Sequence, residues 1–242
     1  MKKLIALVVF VSLSLTTVQA QWFNKRIRGN NNMKEVTRNV GNFDGVSVGG
    51  SFDVKLVAGK EGKVTIHAEE NLIPYLITEV RDNTLKIKWK KGISVNSHKR
   101  ILVAVPFKEI SKVALAGSGD VFTENSVINT DKLKVSLAGS GNIKLAVKAM
   151  GVKTSIAGSG DIYLNGTTDS FKASIAGSGD IHAFELKAKT SNLSIAGSGG
   201  IRTSTSDMLK VSIAGSGDVY YKGNPKEDAR IAGSGSLRSK ND

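Results

Sequence analysis

Apolar and polar residues alternate along much of this chain, and the alternation is clearest in its C-terminal half. Leu133, Val135 and Leu137 fall on one parity, whereas Lys134 and Ser136 fall on the other. Successive side chains of a strand point to opposite faces, so a period of two predicts strands with one apolar face. Helices are not predicted, because apolar residues recur at every second position and valine, isoleucine and glycine dominate.

A four-residue sequence, Ala-Gly-Ser-Gly, recurs through this half at intervals of 18 to 22 residues. Such a period suits one rung of a parallel β-helix with its turns, whereas the blades of a propeller need about 40 residues. One rung buries too few aliphatic side chains to offset the ordering of its backbone, so the rungs must stack. The sequence therefore predicts an all-β, parallel β-helix-like solenoid. The copies begin at Ala116, Ala138, Ala157, Ala176, Ala196, Ala214 and Ala232.

The two glycines of each copy fall on the apolar parity. A residue without a side chain lets the backbone bend there or approach the core closely, so their predicted role is architectural. The clearest examples are Gly139, Gly141, Gly158, Gly160, Gly177 and Gly179.

Residues 34–110 are also strand-like but less regular. Residues 46–54 resemble a degenerate copy of the repeat, and Asp82-Asn83 is a hairpin turn between two apolar runs. We interpret 34–110 as an N-terminal β lobe that caps the open end of a repeat domain spanning 111–242.

The first residues have the layout of a secretory signal. Lys2 and Lys3 precede an apolar run, which ends near Ala20 in small residues. We predict a signal peptide over 1–20, a disordered leader over 21–33, and export to the periplasm, the cell surface or the medium. No later segment is apolar for long enough to cross a bilayer, and the chain has no cysteine for disulfides, thiol chemistry or metal binding.

The net charge of +13 is spread over many lysines. Most alternate with apolar residues, so we interpret them as a solvated strand face, and export argues against nucleic acid as a partner. One denser block contains Lys88, Lys90 and Arg100 and is a candidate anion-binding patch.

The position after the second glycine of each copy carries several aspartates. In register, Asp161 and Asp180 become direct neighbours beside Tyr163, and these three are the other candidate ligand-binding residues. A carboxylate column could hold Ca²⁺, but neighbouring carboxylates repel and other residues interrupt the column. We therefore expect the aspartates to accept hydrogen bonds from turn amides, with no metal or cofactor. The three histidines, His67, His98 and His182, match no metal-binding spacing.

The repeated Ala-Gly-Ser-Gly-Asp copies, preceded by Phe43-Asp44-Gly45-Val46 and Val103-Ala104-Val105-Pro106, resemble the bacterial putative auto-transporter adhesin, head GIN domain family over roughly residues 34–238. The resemblance implies an exported, right-handed β-helix-like protein with no assigned enzyme activity. This chain contains no visible translocator barrel of its own.

These observations favour an adhesin-like or cell-envelope binding module whose partners are glycans or cell-surface proteins, with self-association left open. The alternative is a polysaccharide hydrolase or lyase on the same scaffold, using Asp161 and Asp180. A catalytic pair needs unlike environments, and these two aspartates occupy near-identical copies, so no catalytic residue is assigned.

Overall fold

The computed structural model describes residues 25–241, so the predicted signal peptide and residues 21–24 of the predicted leader lie outside it. Strands occupy most of the described chain, with one short 3-10 helix at Ile73–Tyr75. No helix between residues 25 and 241 could cross a membrane. The strands are β1 Lys25–Arg28, β2 Met33–Asn39, β3 Gly45–Gly50, β4 Asp53–Ala58, β5 Lys63–Glu69, β6 Leu76–Arg81, β7 Thr84–Trp89, β8 Ile93–Asn96, β9 Leu102–Phe107, β10 Lys112–Gly117, β11 Asp120–Thr123, β12 Ile128–Gly139, β13 Asn142–Gly158, β14 Asp161–Gly177, β15 Ile181–Gly197, β16 Gly200–Gly215, β17 Asp218–Lys222, β18 Lys226–Gly233 and β19 Ser236–Ser239.

The strands stack in two parallel series that meet at the Ala-Gly-Ser-Gly corner. The strands leading into the corner pair in the order β7, β3, β10, β12, β13, β14, β15, β16, β18. The strands leaving it pair in the order β9, β4, β11, β13, β14, β15, β16, β17, β19. We call the outer surface of the first series the motif face and that of the second the aspartate face. The predicted β-helix-like solenoid is confirmed, with about seven turns.

Apolar side chains of the inner parity form straight columns through the interior. Leu137, Ile156 and Ile175 occupy equivalent positions on neighbouring rungs, and each is no more than 2% exposed. Burial of such a side chain stabilises the fold by about 1.5 to 3 kcal/mol. Because each side chain is covered only by the rungs above and below it, the stack folds as a unit.

The glycine corner needs glycine because the rungs approach closely there. Gly158 has a φ of 135°, and a Cβ at this position would lie 2.4 Å from the carbonyl oxygen of Gly139 one rung below. That oxygen accepts hydrogen bonds from the amides of Ser159 and Gly160, each at 3.0 Å. The corner is therefore joined between rungs by backbone alone, which leaves no room for a side chain.

Strands of the N-terminal part stack on the first Ala-Gly-Ser-Gly copy. Val46 of β3 pairs in register with Val113 of β10, so residues 46–54 form a rung beside the one that contains Ala116. One buried core runs from Phe43 to Tyr221. The antiparallel pairings of β6 with β7, β5 with β9 and β2 with β5 then cover this end. Asp82 and Asn83 form the predicted hairpin turn, both with positive φ.

The predicted disordered leader is wrong for residues 25–33. Strand β1 pairs with β8, and the amide of Asn31 donates to the carboxylate of Glu69 at 2.7 Å. Glu69 is fully buried and also accepts from Ser97 Oγ at 2.6 Å and from the amide of His98 at 3.0 Å. The buried carboxylate thus joins the leader to the segment after β8, which composition alone did not reveal.

Candidate functional site

The aspartate face carries a ladder of carboxylates that bond from rung to rung. The amide of Asp180 donates to Asp161 Oδ1 at 2.9 Å, and the amide of Gly200 donates to Asp180 Oδ1 at 2.6 Å. The same bond joins Asp120 to Asp53 at 2.9 Å, so Asp53 is a member that the sequence repeat did not reveal. The aspartates therefore accept from backbone amides of the next rung, rather than from amides of their own turn.

A second column, two residues beyond the aspartates, alternates aromatic and cationic side chains. Tyr163 and His182 stack with ring centroids 4.4 Å apart and an interplanar angle of 3°. On the next rung, Arg202 donates to His182 Nδ1 at 3.1 Å and lies 5.9 Å from the ring centre of Tyr220. The column runs in register through Lys55, Phe122, Lys144, Tyr163, His182, Arg202, Tyr220 and Arg238.

Burial and charge shift the pKa of two members of this column. Burial lowers the pKa of His182, and the positive charge of Arg202 lowers it further against the opposing effect of Asp180 and Asp161. Burial raises the pKa of the Tyr163 phenol, helped by the negative charge of Asp161. The stack is therefore neutral near pH 7, and its rings face each other rather than outward.

Asp161, Asp180 and His182 bring possible ligand atoms within 4.8 Å of one another. Those atoms are already engaged, however. Both Oδ1 atoms accept backbone amides, Asp180 Oδ2 lies 3.6 Å from the Arg202 guanidinium, and His182 Nδ1 accepts from the same Arg202. The Arg202 guanidinium thus already supplies a positive charge beside this cluster.

The structure keeps the other predicted patch away from this cluster. Lys88 lies on the motif-face strand β7, with Nζ 3.9 Å from Glu79, and Lys90 follows the end of that strand. Arg100 bonds Asp53 at 2.5 Å, at the N-terminal end of the aspartate ladder. Lys88, Lys90 and Arg100 therefore belong to the capping end and do not join Asp161, Asp180 and Tyr163.

A long groove runs along the curved edge of the solenoid, where β13, β14 and β15 cross from the aspartate face to the motif face. Its volume is about 950 Å³, and its walls carry both signs of charge, including Lys148, Lys187 and Asp169. Lys189 pairs with Asp169 across neighbouring rungs at 2.8 Å. One ion pair therefore joins neighbouring rungs on this edge.

The motif face carries columns that differ from those of the aspartate face. Alanine, serine and lysine recur there at every second position of each strand, and each type pairs with itself on neighbouring rungs, as in Ala157 with Ala176, Ser155 with Ser174 and Lys153 with Lys172. Sequence reasoning counted these lysines as an ordinary solvated face. Aligning the copies on their glycines would have shown that they form one straight line.

Comparison with known proteins identifies a family and several solved structures that share this fold. The sequence profile described as "Putative auto-transporter adhesin, head GIN domain" matches residues 42–225. A solved putative adhesin from Bacteroides fragilis NCTC 9343 is 23% identical over 88% of this chain and 100% of its own, with a TM-score of 0.84. A putative lipid binding protein from Parabacteroides distasonis ATCC 8503 is 30% identical over 89% of this chain and 100% of its own, with a TM-score of 0.73.

A putative adhesin from Parabacteroides merdae ATCC 43184 is 24% identical over 89% of this chain and 99% of its own, with a TM-score of 0.70. The likenesses at 23% and 24% identity show the fold alone. Among curated proteins no match is found.

Proposed function

The chain belongs to the putative auto-transporter adhesin, head GIN domain family, and we propose that it is an exported, non-enzymatic binding module that contacts envelope or cell-surface macromolecules through repeated columns of side chains. Glycans and surface proteins are the partners we propose, in the periplasm or at the cell surface. The signal-like sequence ending near Ala20 supports export.

The observation that carries this proposal is the register of the repeats. Equivalent residues of successive rungs pair one to one, from Ala116 with Ala138 through to Ala214 with Ala232. The alanine, serine and lysine columns of the motif face therefore present similar groups on most rungs, at intervals of about 4.8 Å. A repeating ligand can contact many such groups at once, and weak contacts then add to a high avidity.

The arrangement of Asp161 and Asp180 supports a non-enzymatic role over the polysaccharide hydrolase or lyase alternative. Glycoside hydrolysis needs one carboxyl group as an acid and another as a base or nucleophile, in unlike surroundings. Both aspartates instead use Oδ1 to accept a backbone amide from the next rung, and Asp180 Oδ2 lies 3.6 Å from the Arg202 guanidinium. These contacts give each carboxylate a structural partner within the solenoid.

Deletion of one complete rung tests the multivalent mechanism. Gly158 and Gly177 are equivalent, so removing residues 159–177 joins Gly158 to Ser178 and restores the same corner. Removing residues 140–158 joins Gly139 to Ser159 in the same way. Binding would be measured on an array of bacterial capsular polysaccharides and mucin glycans, with folding checked by circular dichroism.

We expect each deletion to weaken binding by a similar factor, because each removes one unit from every column. A single discrete site would respond differently, with one deletion abolishing binding and the other leaving it unchanged, and that result would overturn the multivalent mechanism. Light scattering of the same proteins would show whether the ordered faces also self-associate, since avidity from oligomers would vary with protein concentration.

A further inference from the structure

Five lysines lie in one line on the motif face. Lys112 pairs in register with Lys134, and the line continues through Lys153 and Lys172. Asn192 interrupts it for one rung, and Lys210 resumes it. Five rung steps of about 4.8 Å give the line a length of about 24 Å. All five lysine side chains are exposed.

At its C-terminal end the line meets Asp228, which pairs in register with Lys210, and within residues 25–241 no acidic residue shares the column with the other four lysines. Neither Lys153 nor any other member takes part in an ion pair among those residues. Ion pairs do form elsewhere on the solenoid, as in Lys189–Asp169 and Arg202–Asp180. Like charges one rung apart repel, so an uncompensated line weakens the fold unless an external anion offsets it.

Beside the lysines runs a lane with a floor of small side chains. Its first column is serine and its second is alanine, so neither rises far above the sheet. A shallow depression of about 280 Å³ lies in this lane, lined by Ser47, Ser136, Ser155 and the alanines next to them. Ser155 Oγ donates to Ser136 Oγ at 3.2 Å, and Ala114 stands in the serine column between Ser47 and Ser136. The lane offers hydrogen bonds from its floor and positive charge from one wall.

We propose that the motif face binds a linear acidic glycan, a chain of sugars carrying carboxylates or sulfates, which lies in the serine and alanine lane with its anions on the lysine line. This inference rests on the proposed binding function and names its ligand class and its site. The glycan's charges meet Lys112, Lys134, Lys153, Lys172 and Lys210, and its hydroxyls meet the serine column.

The same face suits other polyanions less well. Single-stranded nucleic acid is held by stacking of its bases on aromatic side chains, and the exposed Tyr163 lies on the aspartate face instead. Attachment to an anionic membrane is strengthened by apolar side chains that enter the lipid, whereas these columns consist of lysine, serine and alanine. The columns of the motif face are straight, the side chains beside the lysines are short, and the serines carry hydroxyl groups. These features together favour an extended sugar chain.

Polygalacturonate is a direct probe, because every sugar of this linear chain carries a carboxylate. Its fully methyl-esterified form keeps the backbone but removes the charge. The test variant combines Lys134→Gln, Lys153→Gln and Lys172→Gln. A matched control combines Lys60→Gln, Lys108→Gln and Lys148→Gln, which removes the same charge from exposed positions outside the line. A third variant, Ala157→Phe, obstructs the lane and keeps every lysine.

Affinity would be measured by biolayer interferometry at about 0.15 M salt, where distant charges are screened. We expect the lysine-line variant to bind polygalacturonate at least roughly tenfold more weakly, since three charge contacts are lost. The control should change affinity by less than about twofold, and Ala157→Phe should weaken binding although the charge is intact. The methyl ester should bind poorly to every protein.

Equal losses in the lysine-line variant and the control would overturn the proposal, because general charge would then explain binding. Tighter binding to polyphosphate, DNA or anionic phospholipid vesicles than to polygalacturonate would overturn the choice of ligand. A different experimental outcome would contradict the proposed function. If loss of one rung leaves glycan-array binding unchanged, multivalency is wrong even where the lysine line binds polygalacturonate. If rung loss weakens array binding but the lysine variant does not, only the present inference fails.

Discussion

The phenol ring of Tyr163 and the imidazole of His182 lie parallel on neighbouring rungs, with centroids 4.4 Å apart. This separation is close to the spacing of neighbouring strands, so two rings in one column must stack. Arg202 completes the stack by bonding His182 Nδ1 at 3.1 Å. A guanidinium can only donate, so Nδ1 is the acceptor and the imidazole is neutral, with its proton on Nε2.

Protonation of His182 should therefore weaken the fold. Burial first, and then the charge of Arg202, lower the pKa of His182 in the folded protein. Histidine in an unfolded chain has a pKa of about 6.5. Between these two values the unfolded chain binds more protons, so stability is kept above about pH 6.5 and is lost as the pH falls through the folded pKa.

Urea unfolding at pH 7.5 and at pH 5 checks this prediction. The wild-type protein should lose more stability on acidification than His182→Gln, because other titrating groups contribute equally to both proteins. His67→Gln, at an exposed strand position, controls for the removal of a histidine. Identical pH dependence in wild type and His182→Gln would show that the imidazole is not held neutral.

Glu69 should hold the leader in place. Burial opposes its ionisation, but hydrogen bonds from Ser97 and from the amides of Asn31, His98 and Lys99 outweigh burial and lower the pKa of Glu69. Its contribution to stability is thus present above the ordinary glutamate pKa of about 4.3 and is lost as the pH falls through the lower folded value.

Glu69→Gln should cost about 1 to 3 kcal/mol, because the NH2 group of the amide replaces one of the two acceptor oxygens in a buried site. Hydrogen exchange should become faster in residues 25–32, which the carboxylate secures. Glu70→Gln is the neighbouring control. It removes an ion pair with Lys34 in which both side chains are about half exposed, so little stability should be lost. Unchanged exchange in Glu69→Gln would mean that β1 is held by its pairing with β8 alone.

The solenoid could be predicted from sequence because alignment of the repeated motif shows which residues pair between neighbouring rungs. Once Ala157 and Ala176 are aligned, the flanking positions of the two rungs follow, including the neighbouring positions of Asp161 and Asp180. The period of two then assigns each side chain to the inside or the outside.

Contacts formed by single, unrepeated residues could not be predicted in this way. Glu69 contacts Asn31 across 38 positions and Ser97 across 28, and no period relates these residues. The contacts of His182 could not be predicted either, because its partners Tyr163 and Arg202 differ in residue type although they share its column. Contacts between equivalent positions of the copies could therefore be predicted from the sequence. Contacts that one unrepeated residue makes with distant segments could not.

Arg202 should decide whether the aspartate face accepts a metal. In the wild-type protein its guanidinium lies beside both Asp180 and His182, so millimolar Ca²⁺ or micromolar Zn²⁺ should leave the melting temperature unchanged. Arg202→Ala exposes the oxygen and nitrogen ligands that Zn²⁺ prefers and should gain a zinc-dependent rise in melting temperature. Adding His182→Gln to Arg202→Ala should abolish that gain. A rise with zinc in the wild type would show that the guanidinium does not block the site.

Replacement of single glycines tests whether the corner sets the rung spacing. Gly158→Ala places a Cβ 2.4 Å from the carbonyl oxygen of Gly139 and forces alanine into a φ of 135°. Strain and overpacking together should cost about 2 to 5 kcal/mol. Gly151→Ala is the matched control in the same strand, since its Cβ would meet nothing closer than Lys132 Cγ at 3.8 Å. It should be neutral or slightly stabilising, because alanine restricts the unfolded chain.

Urea midpoints of the two variants separate two explanations for the abundance of glycine. If glycine serves only to loosen the turn, the two substitutions should have similar small effects. If the rungs are held at backbone contact, the urea midpoint of Gly158→Ala should lie far below that of Gly151→Ala. Gly177→Ala should show the same loss, because its Cβ would lie 2.3 Å from Gly158 O.

The spacing of the rungs at the corner also sets the interval between lysines on the motif face. A corner forced open by alanine should therefore weaken polygalacturonate binding as well as stability, although it alters no residue of the lane or the lysine line.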